Sequence, residues 1–420
     1  ETDQGNLVTS QFLITGIGCI SSGNVPSIKG LDSFQGEWYH TGSWPHEKVE
    51  FAGKRVAVIG TGSSGVQSIP VIAEQAEHLT VFQRTPQYTI PARHATVDRK
   101  FLEEVVKPNY DEILEQARWS TGGFPINRDE RSALQVTAAE RLEAYEAGWA
   151  EGGIRFLGAS FKDITTDRRA NDTMAEFIRR KIREMVRDPE TAEKLMPTDH
   201  PFGSKRPLID TDYFETYNNE NVELVDIRHS PIKEITPNGI RTEDQDFEFD
   251  MIVFATGFDA MTGTYFKMDI RGKNDLSLKD KWSEGPKTYL GLQAAGFPNL
   301  FMITGPGSPS VLSNMPVSIE QHIDWIADFL QYTRERDIKT VEADVDAETA
   351  WVAHVNEVAE PTMYMLANSW YLGANIPGKP RVFMPYVGGL GNYRKKCNEV
   401  ANKGYEGFIL ESGSRGTNGL

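Results

Sequence analysis

The run Gly60-Thr61-Gly62-Ser63-Ser64-Gly65 is a G-x-G-x-x-G, and it directly follows the apolar stretch Arg55-Val56-Ala57-Val58-Ile59. In that position each glycine serves a purpose. The first permits a tight turn, the second lets backbone approach a pyrophosphate, and the third brings helix against strand. The amides that open the next helix then form an anion site. The pattern predicts a helix over residues 64–75 and a second parallel strand over 79–82, which together make a βαβ dinucleotide unit. The end of that second strand selects the nucleotide. NAD sites offer an acid there to the ribose hydroxyls, whereas this chain has Gln83-Arg84-Thr85. Arg84 can grip a 2′-phosphate with a charge-assisted fork and Thr85 adds a neutral donor, which favours NADPH. Lys205-Arg206, between Gly203 and Pro207, is a second pair of cations suited to a specific anion.

These residues belong to a chain of 420, with 44 Lys and Arg against 60 Asp and Glu and a formal net charge of −16. That balance gives no general attraction to nucleic acid or to an anionic membrane. With 39% hydrophobic and 25% charged residues, the chain has material for two domain-sized cores and is neither disordered nor collagenous. Cys19 and Cys397 are its only cysteines, too few for a disulfide framework and pointing to a reducing compartment or to indifference to redox state. No run approaches the roughly 18 apolar residues that cross a bilayer, and no signal-peptide pattern opens the sequence, so a cytoplasmic location is expected. The eight histidines include no H-x-x-x-H, and no metal site is expected.

The surrounding elements read as follows. Residues 12–18 look like a short buried strand with no βα unit before it. Residues 21–50 mix Gly, Pro, Trp and His as a linker does. Residues 98–195 carry helical spacing, with Asn171 a candidate cap of the last long helix. Strand patterns return at 222–225 and 251–254, the latter leading into Ala255-Thr256-Gly257, and an apolar segment at 299–303 precedes Gly305-Pro306-Gly307-Ser308-Pro309.

One further pattern carries a resemblance. Phe34-Gln35-Gly36-Glu37-Trp38-Tyr39-His40-Thr41-Gly42-Ser43-Trp44-Pro45-His46 is similar to the F-x-G-x-x-x-H-x-x-x-W-P fingerprint of the type I Baeyer-Villiger monooxygenases, flavoenzymes that insert an oxygen atom beside a ketone carbonyl. The chain looks most like the phenylacetone and steroid ketone group of that family. The resemblance implies an α/β fold with two Rossmann-like domains, one for FAD and one for NADPH, and a helical insertion. Residues 1–28 and 255–420 would be portions of the FAD domain, incomplete at its amino terminus, and 29–254 the NADPH-binding domain with its helical region at 98–195. The family's own FAD-binding segment would precede Glu1, in the same chain or a separate one.

The resemblance also implies roles. Arg206 would be catalytic, keeping an oxygen-derived nucleophile anionic, and its truncation would cost at least the ~3 kcal/mol of one oxyanion donor. Lys205 would join Arg84 and Thr85 at the 2′-phosphate. Gly60 to Gly65, Gln83 and Ala255-Thr256-Gly257 would contact the coenzymes. Trp370, on a loop shaped by Asn375, Pro377 and Gly378, would close over the nicotinamide ribose. Ser310-Val311-Leu312-Ser313 and Met315 would shape a pocket for a bulky ketone, O2 being the other substrate. His40 would act in the interdomain linker and not as a base. Two other readings stay open: an N- or S-oxygenating flavin monooxygenase, from which the fingerprint separates the chain, and a non-catalytic nucleotide-binding fragment.

Overall fold

Strands with apolar residues at every position require cover on both faces, and the centre of this protein supplies it. In the computed structural model, which describes residues 2–126, 129–158 and 161–412, five parallel strands lie in the order Glu37–His40, Met251–Phe254, Arg55–Ile59, His78–Gln83, Val222–Asp226. Val56, Val58, Leu79, Val81, Met251 and Val253 face one core with Val66, Ile69 and Ile72 of the helix Ser63–Ala73. Ala57, Ile59, Phe82, Ile252 and Phe254 face a second core against the antiparallel strands Ile232–Thr236 and Gly239–Thr242. The predicted helix therefore starts one residue early and stops at Ala73.

The other half is built on the parallel pair Leu13–Thr15 and Leu300–Met302. Its core joins the helices Met315–Glu335, Val345–Ala359 and Leu390–Asn402 to the antiparallel pair Ile338–Ala343 and Phe408–Ser412. The strand expected over 12–18 is shorter and not buried as expected: Leu13 is 55% and Ile14 42% exposed, and only Thr15 is covered. Among the described residues it has a single neighbour strand.

The chain crosses between the halves twice, and the crossings pair with each other. Asn24 N–H donates to the Gly257 carbonyl at 2.9 Å and Asp259 N–H to that of Ser22 at 2.8 Å. The Thr256 hydroxyl donates to the Asn24 carbonyl at 2.6 Å.

The helical region divides. Arg168–Met185 packs in the core of the glycine-turn half, whereas residues after Tyr110–Trp119 dock on the other half. Leu390 N–H donates to Thr121 O at 2.9 Å, Asn314 N–H to Gly122 O at 2.8 Å, and the Arg394 guanidinium lies 5.7 Å from the Trp119 ring. Asn171 is no cap. Asp167 caps the helix, accepting from Arg169 N–H, while Asn171 lies a turn inside it, fully buried. Its amide donates to the carbonyls of Ile164 (2.7 Å) and Phe202 (2.8 Å) and accepts from Phe202 N–H (2.9 Å). Loop backbone left without secondary-structure partners takes this side chain, because buried peptide groups must be paired. Among the described residues no helix is long and apolar enough to cross a membrane.

Candidate active site

At the glycine turn the sequence is dictated by clearance. Gly60 has φ +108°, and a Cβ there would stand 2.5 Å from the Ala255 carbonyl oxygen. A Cβ on Gly65 would come within 2.2 Å of Gly60 O. Strand, helix and the Ala255-Thr256 backbone close together only because both side chains are absent. Gly62 differs: nothing lies within 4 Å of where its Cβ would stand. No side chain caps the helix there, so the amides that begin at Ser63 and Ser64 open over a bare glycine. An anionic pyrophosphate needs such a cradle, and the residues present fit NADP. The buried Thr61 hydroxyl donates to Thr85 O at 3.0 Å and ties the turn to the end of the next strand.

The cations of that strand end and of the later loop converge. Lys205 is half-buried; burial, and then the charge of Arg84, push its ammonium below the usual lysine range, with Asp199 acting the other way. Arg84 is exposed and Thr85 half-buried. Of the acids nearby, Asp199 pairs with His200 and Asp226 with Arg228. Gln83 does not join this group. It is fully buried, and its amide donates to the Lys194 carbonyl at 2.7 Å, which anchors the helix Pro189–Leu195. Its place beside Arg84 suggested a coenzyme contact, but side chains alternate along a strand.

Arg206 reaches into the other half of the molecule. Its Nη1 donates to the Val311 carbonyl at 2.8 Å, and its charge acts on Tyr371 and Cys19. Burial drives the Tyr371 phenol far upward, with Arg206 opposing, so the ring stays neutral. Ser310–Leu312 forms a tight turn in which Ser310 adopts φ +42°, a strained value for a residue with a Cβ. The Ser313 hydroxyl donates to Ser310 O at 2.9 Å. Val311, Cys19, Met261, Tyr371 and Leu372 form one apolar cluster, with Leu312, Met315 and Trp370 packed against it. Trp370 is half-buried, its ring 4.3 Å from that of Tyr371.

The loop after Trp370 is fastened to the return crossing. Asn375 donates to Phe258 O at 2.9 Å, and Lys379 Nζ meets Asp259 Oδ1 at 2.6 Å and Ala260 O at 2.7 Å. Sequence reasoning missed Lys379: a lone lysine gives no sign of being buried, and its side chain is only 7% exposed. Pro377 and Gly378 stand exposed on this loop. Gly16, at the end of Leu13–Thr15, and Gly257, with φ +80°, both have open space where a Cβ would stand. Each stands just past the carboxyl end of a parallel strand, the side of α/β sheets on which ligands bind.

The fingerprint residues build the first crossing. A Cβ on Gly36 would lie 2.4 Å from Asp250 O and 2.6 Å from the Phe34 ring. Trp44 packs 5.4 Å from Tyr39, and Pro45 follows half-buried. His40 is buried, accepts at Nδ1 from Gly42 N–H at 3.0 Å, and stands edge-on to Phe258. Burial lowers its pKa, with the backbone of Gly257 and Asn24 beside it.

No protein-family model matches the sequence, but individual proteins do. Cyclohexanone 1,2-monooxygenase of Acinetobacter sp is 45% identical over 412 residues, covering 98% of this chain and 75% of that protein. A Baeyer-Villiger monooxygenase of Pseudooceanicola batsensis is also 45% identical over 412 residues, at 98% and 74% coverage. Phenazine N-monooxygenase PhzNO1 of Lysobacter antibioticus is 43% identical over 413 residues, at 98% and 75%. Among solved structures, oxidized steroid monooxygenase bound to NADP superposes with a TM-score of 0.92 at 48% identity, covering 98% of this chain and 77% of that one. The OTEMO complex with FAD and NADP gives 0.94 at 40% identity, covering 97% and 77%. These relatives hold their unmatched quarter in the same chain, which gives no support to a separate flavin-binding chain. The open glycine turn, a cation pair that joins the two halves, and this degree of identity across nearly every residue make the chain a member of the Baeyer-Villiger monooxygenase family.

Proposed function

We propose that the protein uses NADPH, FAD and O2 to convert a ketone to an ester or lactone, with Lys205-Arg206 as the dipeptide that joins coenzyme site to ketone pocket. The observation that carries this reading is the Arg206 bond to the Val311 carbonyl, 2.8 Å long, next to a lysine that faces Arg84. NADPH would lie along the Gly60 to Gly65 turn, its 2′-phosphate toward Arg84, Thr85 and Lys205, and FAD would pass Gly16 and Gly257. When bound, NADPH supplies the hydride, and FAD with O2 supplies the oxygen atom that enters beside the carbonyl.

The chain's own contribution is electrostatic and steric. A guanidinium carries its charge throughout the working pH range, and the Val311 carbonyl holds that of Arg206 in place. Its remaining N–H groups stabilise an oxygen that gains negative charge, as oxyanion donors do. Neutral Tyr371 and the apolar cluster around Val311, Leu312 and Met315 would line the inner wall of the same space, while Arg206 itself stays exposed to solvent. Trp370 closes the coenzyme side, and the Lys379–Asp259 pair fixes the base of its loop. A reducing, cytoplasmic setting belongs to the proposal and is supported by two cysteines that are free and buried.

The test is product formation by the FAD-loaded protein with NADPH, cyclohexanone and labelled O2. One labelled atom should enter the lactone, and Arg206→Ala should lower product by about 10²–10³ in kcat while flavin reduction persists. Undiminished lactone from Arg206→Ala would remove Arg206 from its role. The similarity to a phenazine N-monooxygenase favours one second reading, oxygenation at a ring nitrogen, and phenazine in the same assay decides it.

A further inference from the structure

The turn that holds Arg206 is itself held by the helix that follows it. Ser318, in the first turn of Met315–Glu335, is fully buried, and its Oγ lies 2.6 Å from Ser313 Oγ, which precedes the helix. Ser313 spends its one hydroxyl proton on the Ser310 carbonyl at 2.9 Å, so Ser318 must donate to Ser313. A serine inside a helix commonly returns its proton to the carbonyl four residues back. This one sends it out of the helix, through Ser313, to the turn Ser310–Leu312.

The turn needs that support. Ser310 holds φ +42°, and a strained residue persists only where its surroundings over-determine it. Its own hydroxyl finds only the Met261 sulfur, 3.9 Å away, and a thioether is a weak acceptor. Backbone bonds close the turn from Leu312 N–H to Pro309 O at 3.0 Å and from Ser313 N–H to Ser310 O at 3.1 Å. The next amide, of Asn314, leaves the turn for Gly122 O at 2.8 Å. The Val311 carbonyl is thereby left to Arg206, whose Nη1 donates to it at 2.8 Å. Where that carbonyl points depends on the strained peptide before it, and the hydroxyl relay ties that peptide to the helix.

We infer that Ser318 is a positioning residue for Arg206, acting through Ser313, Ser310 and the Val311 carbonyl. The inference rests on the reading of Arg206 given above and adds to it a buried helix hydroxyl that decides where the guanidinium is anchored.

The experiment compares the parent with Ser318→Ala, Ser313→Ala, Arg206→Ala and the double variant Ser318→Ala/Arg206→Ala. Alanine favours a helix interior, so the helix of S318A should form. The first measurement is hydrogen–deuterium exchange of the protein, read by mass spectrometry. One neutral hydrogen bond is worth about three- to tenfold in a local opening equilibrium. The peptide over residues 310–314 should therefore exchange faster by about that factor in S318A and S313A, with the carboxyl half of the helix unchanged. The second measurement is lactone formation by the FAD-loaded protein with NADPH and cyclohexanone. S318A should lower kcat by about three- to tenfold with the KM for NADPH unchanged. In the Arg206→Ala background the same substitution should lower kcat no further, since residues that act through one another are not additive. Parental exchange over 310–314 in both serine variants would overturn the inference. So would a kcat loss of the same factor with and without Arg206, which is what a merely structural role produces. Undiminished lactone from Arg206→Ala would instead overturn the reading of Arg206.

Discussion

Acid should destabilise this protein chiefly through His322. His322 is fully buried in the helix Met315–Glu335. Its Nδ1 accepts from Thr304 N–H at 2.9 Å, and its Nε2 lies 2.9 Å from the Tyr393 hydroxyl. That hydroxyl donates its proton to Leu290 O at 2.7 Å, so Nε2 must carry the hydrogen and Nδ1 the lone pair. A second proton on the ring would confront the Thr304 amide. Burial, with Arg394 adding to it, lowers the His322 pKa to about 3. The unfolded value is about 6.5, so the stabilisation is complete above that pH and is lost as pH falls toward 3. Each pH unit in that window costs about 1.4 kcal/mol, so near pH 5 the loss is about 2 kcal/mol. Against a total of about 5–15 kcal/mol, that is a large fraction. Glutamine can make both hydrogen bonds without titrating. Urea unfolding of parent and His322→Gln, followed by tryptophan fluorescence between about pH 5 and 8, should show the parent losing about 2 kcal/mol more than the variant. Equal losses in the two proteins would refute the assignment. Tyr393→Phe keeps the buried imidazole and should keep the acid loss.

Two further outcomes separate folding from coenzyme binding. Gly65→Ala places a Cβ 2.2 Å from Gly60 O and should lower the melting temperature, overpacking costing about 1–3 kcal/mol, whereas Gly62→Ala, with open space at that position, should melt like the parent yet bind NADP+ weakly; thermal melts with and without NADP+ distinguish them. Lys379→Met leaves Asp259 without its 2.6 Å partner and should cost about 2 kcal/mol of stability, measured by urea unfolding, and in steady-state assays should raise the KM for NADPH while more NADPH is oxidised without product.

Much of the coenzyme site was legible because it is local. The strand, the turn and the helix that follow one another from Arg55 to Ala73 obey rules of clearance acting over a few residues, and the glycines appear wherever a Cβ would strike backbone. Arg84 was legible for the same reason, since the end of the neighbouring strand is fixed once the βαβ unit is recognised. Side-chain direction was not. Gln83 adjoins Arg84 in sequence yet anchors Lys194, and Asn171 looked like a cap yet holds a distant loop.

The pairs that join the two halves were beyond the sequence altogether. Arg206 meets a carbonyl 105 residues away and Lys379 a carboxylate 120 residues away, and residues 110–124 dock on the half to which they had not been assigned. Apolar periodicity states which face of an element is buried but not what buries it. A cation on a loop finds its partner only where the folded backbone has left a carbonyl or a carboxylate short of one. The sequence by itself determined a dinucleotide turn with cations suited to a 2′-phosphate, because those depend on neighbours along the chain. The tertiary structure alone decided where Arg206 points, because that depends on which unpaired backbone the other half presents to it.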